Sequence, residues 1–73
     1  MEMQIGERIC QLRKEQGWTQ TDLARIVKVA APTVSCWEAG KKRPELPKVA
    51  YMSDLFGVTV DYLLGRTDVR GGV

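Results

Sequence analysis

Residues 19–39, TQTDLARIVKVAAPTVSCWEA, decide the fold. Thr19 and Asp22 form a Thr-x-x-Asp capping signature: the hydroxyl accepts from a first-turn N–H, and the acid lies near the positive helix end. A helix is therefore predicted from Gln20 to Val27, with Leu23, Ala24 and Val27 on one face. A second spans about Ala31 to Glu38, and Val29, Val34 and Trp37 supply the apolar side of that segment. Pro32 falls in its first turn, where the missing N–H had no helical partner anyway. The turn between the helices is too tight for anything but a fixed elbow. Ala24 is small enough for the two backbones to approach where the helices cross nearly at right angles. Lys28 sits where such a turn wants a positive φ, which lysine adopts only at some cost. An elbow held rigid by its own apolar contacts presents its second helix to a partner.

Outward from this corner, the pattern predicts an all-α domain of five helices without strands. Ile5, Ile9 and Leu12 mark a first helix from about Met3 to Gln16, stopped by Gly17. Pro44 and Pro47 bracket the start of a fourth helix carrying Val49, Met52, Leu55 and Phe56, and Gly57 ends it. Thr59 caps a short fifth helix through Leu64, stopped by Gly65. One domain is expected over 1–65. Residues 66–73, RTDVRGGV, have no periodic pattern and read as a flexible C-terminal tail or linker stub.

The chain has 73 residues, near the size at which one core barely suffices, so a helical bundle is an economical way to bury its 44% apolar residues. No run of eighteen apolar residues and no apolar leader core is present, so a cytoplasmic protein is expected, with neither membrane span nor secretory leader. Cys10 and Cys36 are isolated, and there is no histidine. A zinc finger is excluded, both thiols are expected to be reduced, and no metal or cofactor is expected. No enzyme is expected either: a histidine base and a glycine-rich phosphate loop are both missing, and Asp54 and Asp61 read as helix-surface and first-turn acids. No small-molecule substrate is evident.

The net charge of +2 says little, but its distribution says more. Between Arg25 and Lys48 there are six basic residues (Arg25, Lys28, Lys41, Lys42, Arg43, Lys48) and two acids (Glu38, Glu45), a local +4 against −2 for the remainder. The run Lys41-Lys42-Arg43-Pro44 reads either as a solvated loop or as a polyanion contact. Its position just after the presented helix favours the second.

From Ile5 to Gly65 the chain resembles the Cro/phage-repressor (Xre-type) helix-turn-helix DNA-binding domain. The landmarks are IGERICQLRKEQGWTQ leading into the corner, LARIV with Ala24, VSCWEAGKKRP closing it and LFGVTVDYLLG at the end, in order and at the family's spacing. The resemblance implies a lambda-repressor-like fold and a transcriptional regulator, a repressor, that binds pseudo-palindromic double-stranded operator DNA as a homodimer. It also implies an ion pair between Arg13 and Glu38 that ties the first helix to the end of the third.

In such a domain the third helix enters the major groove, and its outer face near the amino end reaches base edges. By position those residues are Ala31, Pro32, Thr33, Ser35 and Cys36. Ala31 and Pro32 cannot make the bidentate bonds that the family often places there; their apolar surface suits a thymine methyl, or they merely start the helix. Thr33 and Ser35 are short hydroxyl partners, and Cys36 is a weak donor or a redox-sensitive thiol. Phosphate contacts are assigned to Thr19, to Gln20 at the first turn of the second helix, and to Lys41, Lys42 and Arg43. Trp18 and Trp37 read as core in preference to stacking platforms, and Ile26 as either a single outward hydrophobe or part of a contact with another chain. Val58, Val60, Tyr62, Leu63 and Leu64 exceed what a short helix buries, which makes 58–64 the candidate dimer surface. The competing function is a protein-interaction module of the same fold, antitoxin-like or a regulatory subunit, with little DNA readout.

Overall fold

A computed structural model describes residues 5–71. It has five helices, α1 (Ile5–Glu15), α2 (Gln20–Val27), α3 (Ala31–Glu38), α4 (Leu46–Phe56) and α5 (Val60–Leu63), and no strand among the described residues. The all-α five-helix expectation holds. Met3 and Gln4, expected at the start of the first helix, lie outside the described residues. That helix ends one residue early, because the Gln16 N–H is shared between the Leu12 and Arg13 carbonyls and the chain turns there. The last helix likewise stops at Leu63, with Leu64 as its C-cap.

One core unites the elements. Ile5, Ile9 and Leu12 from α1 meet Leu23, Ala24 and Val27, Val34 and Trp37, Val49 and Met52, and Tyr62 and Leu63, all buried. Both tryptophans are scaffold, Trp37 within this core and Trp18 half-buried with its ring 6.0 Å from that of Phe56. Burial of Tyr62 and Leu63 corrects the view of 58–64 as a spare apolar surface. Only Val58, Val60 and Leu64 stay half-exposed there, and they too lean on the core.

The elbow is set by local chemistry. The Asp22 N–H donates to Thr19 Oγ1 at 3.0 Å while the Thr19 N–H donates to Asp22 Oδ2 at 2.9 Å, a reciprocal box that satisfies two orphan donors. The bond from the Thr19 backbone holds the Asp22 carboxyl below its ordinary range. At the other end of α2, Lys28 takes the left-handed conformation (φ 63°, ψ 49°), as the tight turn demands. Lys48, on α4, donates its ammonium to the Val27 carbonyl at 2.6 Å and so caps the exposed end of α2 from outside. Ile26 is half-buried at the rim of a groove of about 320 Å³ that also involves Pro47, Lys48 and Tyr51.

Gly6 fixes how α1 meets α3. A Cβ built there would lie 2.1 Å from the Trp37 carbonyl oxygen and 3.1 Å from the Glu38 Cα. Only a glycine lets α1 ride this closely on the end of α3.

Residues 66–70, read from sequence as tail or linker stub, lie against α1 and α5. The Thr59 N–H donates to the Arg70 carbonyl at 2.8 Å, Arg8 Nη2 donates to Asp68 at 2.8 Å, and Arg70 Nη1 donates to Glu15 Oε1 at 2.7 Å. The Arg8 guanidinium, buried, sits 3.8 Å above the Tyr62 ring. Asp68 and Arg70 are exposed, so their ion pairs add little to stability.

Candidate nucleic-acid interface

The corner formed by α2 and α3 is held from behind by one polar node. Arg13 projects from the last turn of α1, and its guanidinium grips the Glu38 carboxylate twice, Nε to Oε2 at 2.7 Å and Nη2 to Oε1 at 3.0 Å. Its remaining Nη1 donates to the Trp18 carbonyl at 2.7 Å, and Nη2 also approaches Cys10 Sγ at 3.6 Å. Gln20 Nε2 joins from the start of α2, donating to Glu38 Oε1 at 3.0 Å. The two charged side chains are 10% and 6% exposed. Helices α1 and α2 and the turn between them are thereby locked to the carboxyl end of α3. Burial pushes the Glu38 carboxyl up, but the hydrogen bonds from Arg13 and Gln20 outweigh it and hold it below the ordinary glutamate range.

In α3, Val34 and Trp37 point into the core and the opposite face is free. Pro32 and Ser35 are exposed, whereas Thr33 and Cys36 are half-buried. Pro32 and Cys36, four residues apart, share one ridge. Ala31 is half-buried and packs against the core. Ala30, at the N-cap position and exposed, is the methyl that sequence reasoning passed over. Its signal was present, since an N-cap without a hydroxyl or amide is unusual.

The basic loop is docked on this helix. The Lys41 N–H donates to the Cys36 carbonyl at 3.0 Å and the Lys42 N–H lies 3.4 Å from the same oxygen, which fixes the loop backbone to the end of α3. Lys41, Lys42 and Arg43 are exposed. Lys42, Arg43 and Lys48 edge a cleft of about 140 Å³ together with Thr33, over a floor of Val29 and Trp37 and beside Glu45. Thr33 is thus aligned with the cations of the loop more than with the outer ridge. Thr19, at the opposite end of the corner, is exposed, and its hydroxyl accepts from Asp22, which leaves its own proton available to a phosphate oxygen. Gln20 has one amide hydrogen committed to Glu38 and a second uncommitted to it. The arrangement is a convex corner with a short-side-chain ridge and cations on its shoulder. It fits a grooved polyanion and offers no cluster of metal-ligating groups among the described residues.

Comparison with known proteins assigns this fold. Residues 10–63 match the helix-turn-helix family, and the chain belongs to that family, of the Cro/C1 type. This membership agrees with the reading that the chain is not an enzyme. The chain is 38% identical over 60 residues to the HTH-type transcriptional regulator AnsR of Bacillus subtilis (strain 168), covering 82% of this chain and 52% of that protein. It spans about half the length of the relatives it matches first. Among solved structures, the P22 c2 repressor in complex with a synthetic operator superposes with a TM-score of 0.78 at 31% identity, covering 85% of this chain and 94% of that one. SinR, the master regulator for biofilm formation, in complex with DNA gives 0.73 at 34% identity, covering 82% and 97%. The lambda-repressor-like expectation stands on these neighbours. No helix among the described residues is long and apolar enough to cross a membrane.

Proposed function

We propose that this chain is a sequence-specific, double-stranded-DNA-binding transcriptional regulator, a repressor, that inserts α3 into the major groove of its operator. The observation that carries this is the docking of the Lys41–Arg43 loop on the carboxyl end of α3, which sets cations beside a free helix face. Thr19, Gln20, Lys41, Lys42 and Arg43 meet phosphates. Pro32, Ser35 and Cys36 face bases, with Thr33 at the boundary and Ala31 closing the helix start. Solved relatives bound to operator or DNA support duplex binding by this fold.

The domain reads one half-site, so operator selectivity requires two copies about 34 Å apart on a pseudo-palindrome. The homodimer is part of this proposal. With Tyr62 and Leu63 buried, Val58, Val60 and Leu64 stay half-exposed in 58–64, and Leu46, Tyr51 and Val69 are the exposed large hydrophobics elsewhere among the described residues.

Selection of bound sequences from a random duplex pool tests the function. The expected result is a two-fold-related consensus whose affinity falls by about three to five decades between about 50 and 200 mM salt. Failure to enrich any sequence, with weak and salt-insensitive binding, would instead point to a protein-interaction module of the same fold.

A further inference from the structure

The outer face of α3 lacks the chemistry by which helices usually distinguish bases. Adenine and guanine are read by bidentate amide or guanidinium side chains, and APTVSCWE contains neither asparagine, glutamine, arginine nor lysine. Its one long polar side chain, Glu38, is committed to Arg13 and Gln20. The backbone at the helix start adds little: Pro32 has no N–H, and the Thr33 N–H is turned onto the Ala30 carbonyl at 2.9 Å. Apart from the exposed Ser35 hydroxyl, what the helix and its N-cap present here is carbon and sulfur. Ala30 and Pro32 are exposed, and the Cys36 thiol sits one turn beyond Pro32 on the same ridge. Helices α2 and α5 are each capped by a threonine, whereas α3, like α4, makes no side-chain cap bond, and its cap position shows an exposed methyl.

We propose that α3 reads its operator through the C5-methyl groups of thymine, with Ala30, Pro32 and Cys36 as the methyl-contacting surface. In the major groove that methyl is the single apolar feature distinguishing one natural base from the rest, so it is the group such a ridge can discriminate. Ser35, exposed beside the ridge, supplies a short hydroxyl to a neighbouring base edge. This inference rests on the duplex-binding reading above and names the feature recognised there.

The test uses the intact chain and its selected duplex, with thymines replaced singly by deoxyuridine, which removes the methyl and keeps O4 and the pairing. Affinity is expected to weaken by about fourfold for each contacted methyl, the worth of one buried carbon. Exchanging a sensitive T·A pair for 5-methylcytosine·G should bind more tightly than the same exchange with unmethylated cytosine. The Cys36→Ser variant, nearly isosteric, should lose the penalty at the base it covers while its salt slope is unchanged. Replacement of every thymine by deoxyuridine without a change in affinity would overturn methyl reading and leave duplex binding standing. Absence of any duplex bound with a steep salt slope would remove both.

Discussion

Glu38→Ala is expected to cost about 3–5 kcal/mol of folding stability, the usual penalty for removing one partner of a buried ion pair. The reason lies in what stays behind. The Arg13 side chain is 10% exposed, and without Glu38 its guanidinium keeps only the Trp18 carbonyl and the Cys10 sulfur. A domain of this size has on the order of 4–11 kcal/mol in total, so the loss removes a large share of it and should lower the unfolding midpoint markedly. Replacing both partners, Arg13→Met with Glu38→Leu, should recover much of the loss, because an apolar pair leaves no stranded charge. Urea unfolding of the three proteins measures this, and a midpoint for Glu38→Ala close to that of the parent would contradict it. The pH dependence carries the matching sign. Glu38 has a depressed pKa in the fold, so its contribution is complete above the ordinary glutamate value of 4.5 and is lost as pH falls through the lower folded value.

Gly6→Ala should destabilise the domain by about 3 kcal/mol or more, although helix propensity alone favours alanine by about 1 kcal/mol. The added methyl has no flexible neighbour to displace. At 2.1 Å from the Trp37 carbonyl oxygen it meets backbone, and α1 can make room only by lifting from the end of α3. That movement also strains the Arg13–Glu38 contact, which bridges the same two helices. A thermal scan checks the sign: a rise in Tm would mean that α1 does not approach α3 so closely.

The parts of this molecule that were legible in sequence are those set within a few residues. Thr19 with Asp22 announces the start of α2 and Gly57 the end of α4, because capping and φ preferences act over one turn. The apolar spacing of Leu23, Ala24 and Val27 identified the buried face for the same reason. Contacts between distant segments were not legible by these rules. Lys48 on the Val27 carbonyl and Gln20 on Glu38 are polar side chains that look like any solvated residue until the chain folds. The Arg13–Glu38 pair came only through family resemblance. Gly6 left a trace, since a glycine inside a helix is costly without a packing reason, but nothing local says which neighbour it makes room for. The site was divided likewise: the loop cations follow from charge position, whereas the inward turn of Ala31 and the exposure of Ala30 depend on how α3 lies on the core.

The central claim is that cations docked on the end of α3 grip a duplex backbone while that helix lies in the groove. Its most direct test is the slope of log affinity against log salt concentration for the selected duplex, measured for the parent and for the combined Lys41→Gln, Lys42→Gln, Arg43→Gln variant. If all three meet phosphates in each copy, the slope should become shallower by about 0.9 per contact removed, close to 2.7 for each copy bound. A folded variant that binds with the parent's affinity and the parent's slope would contradict the account.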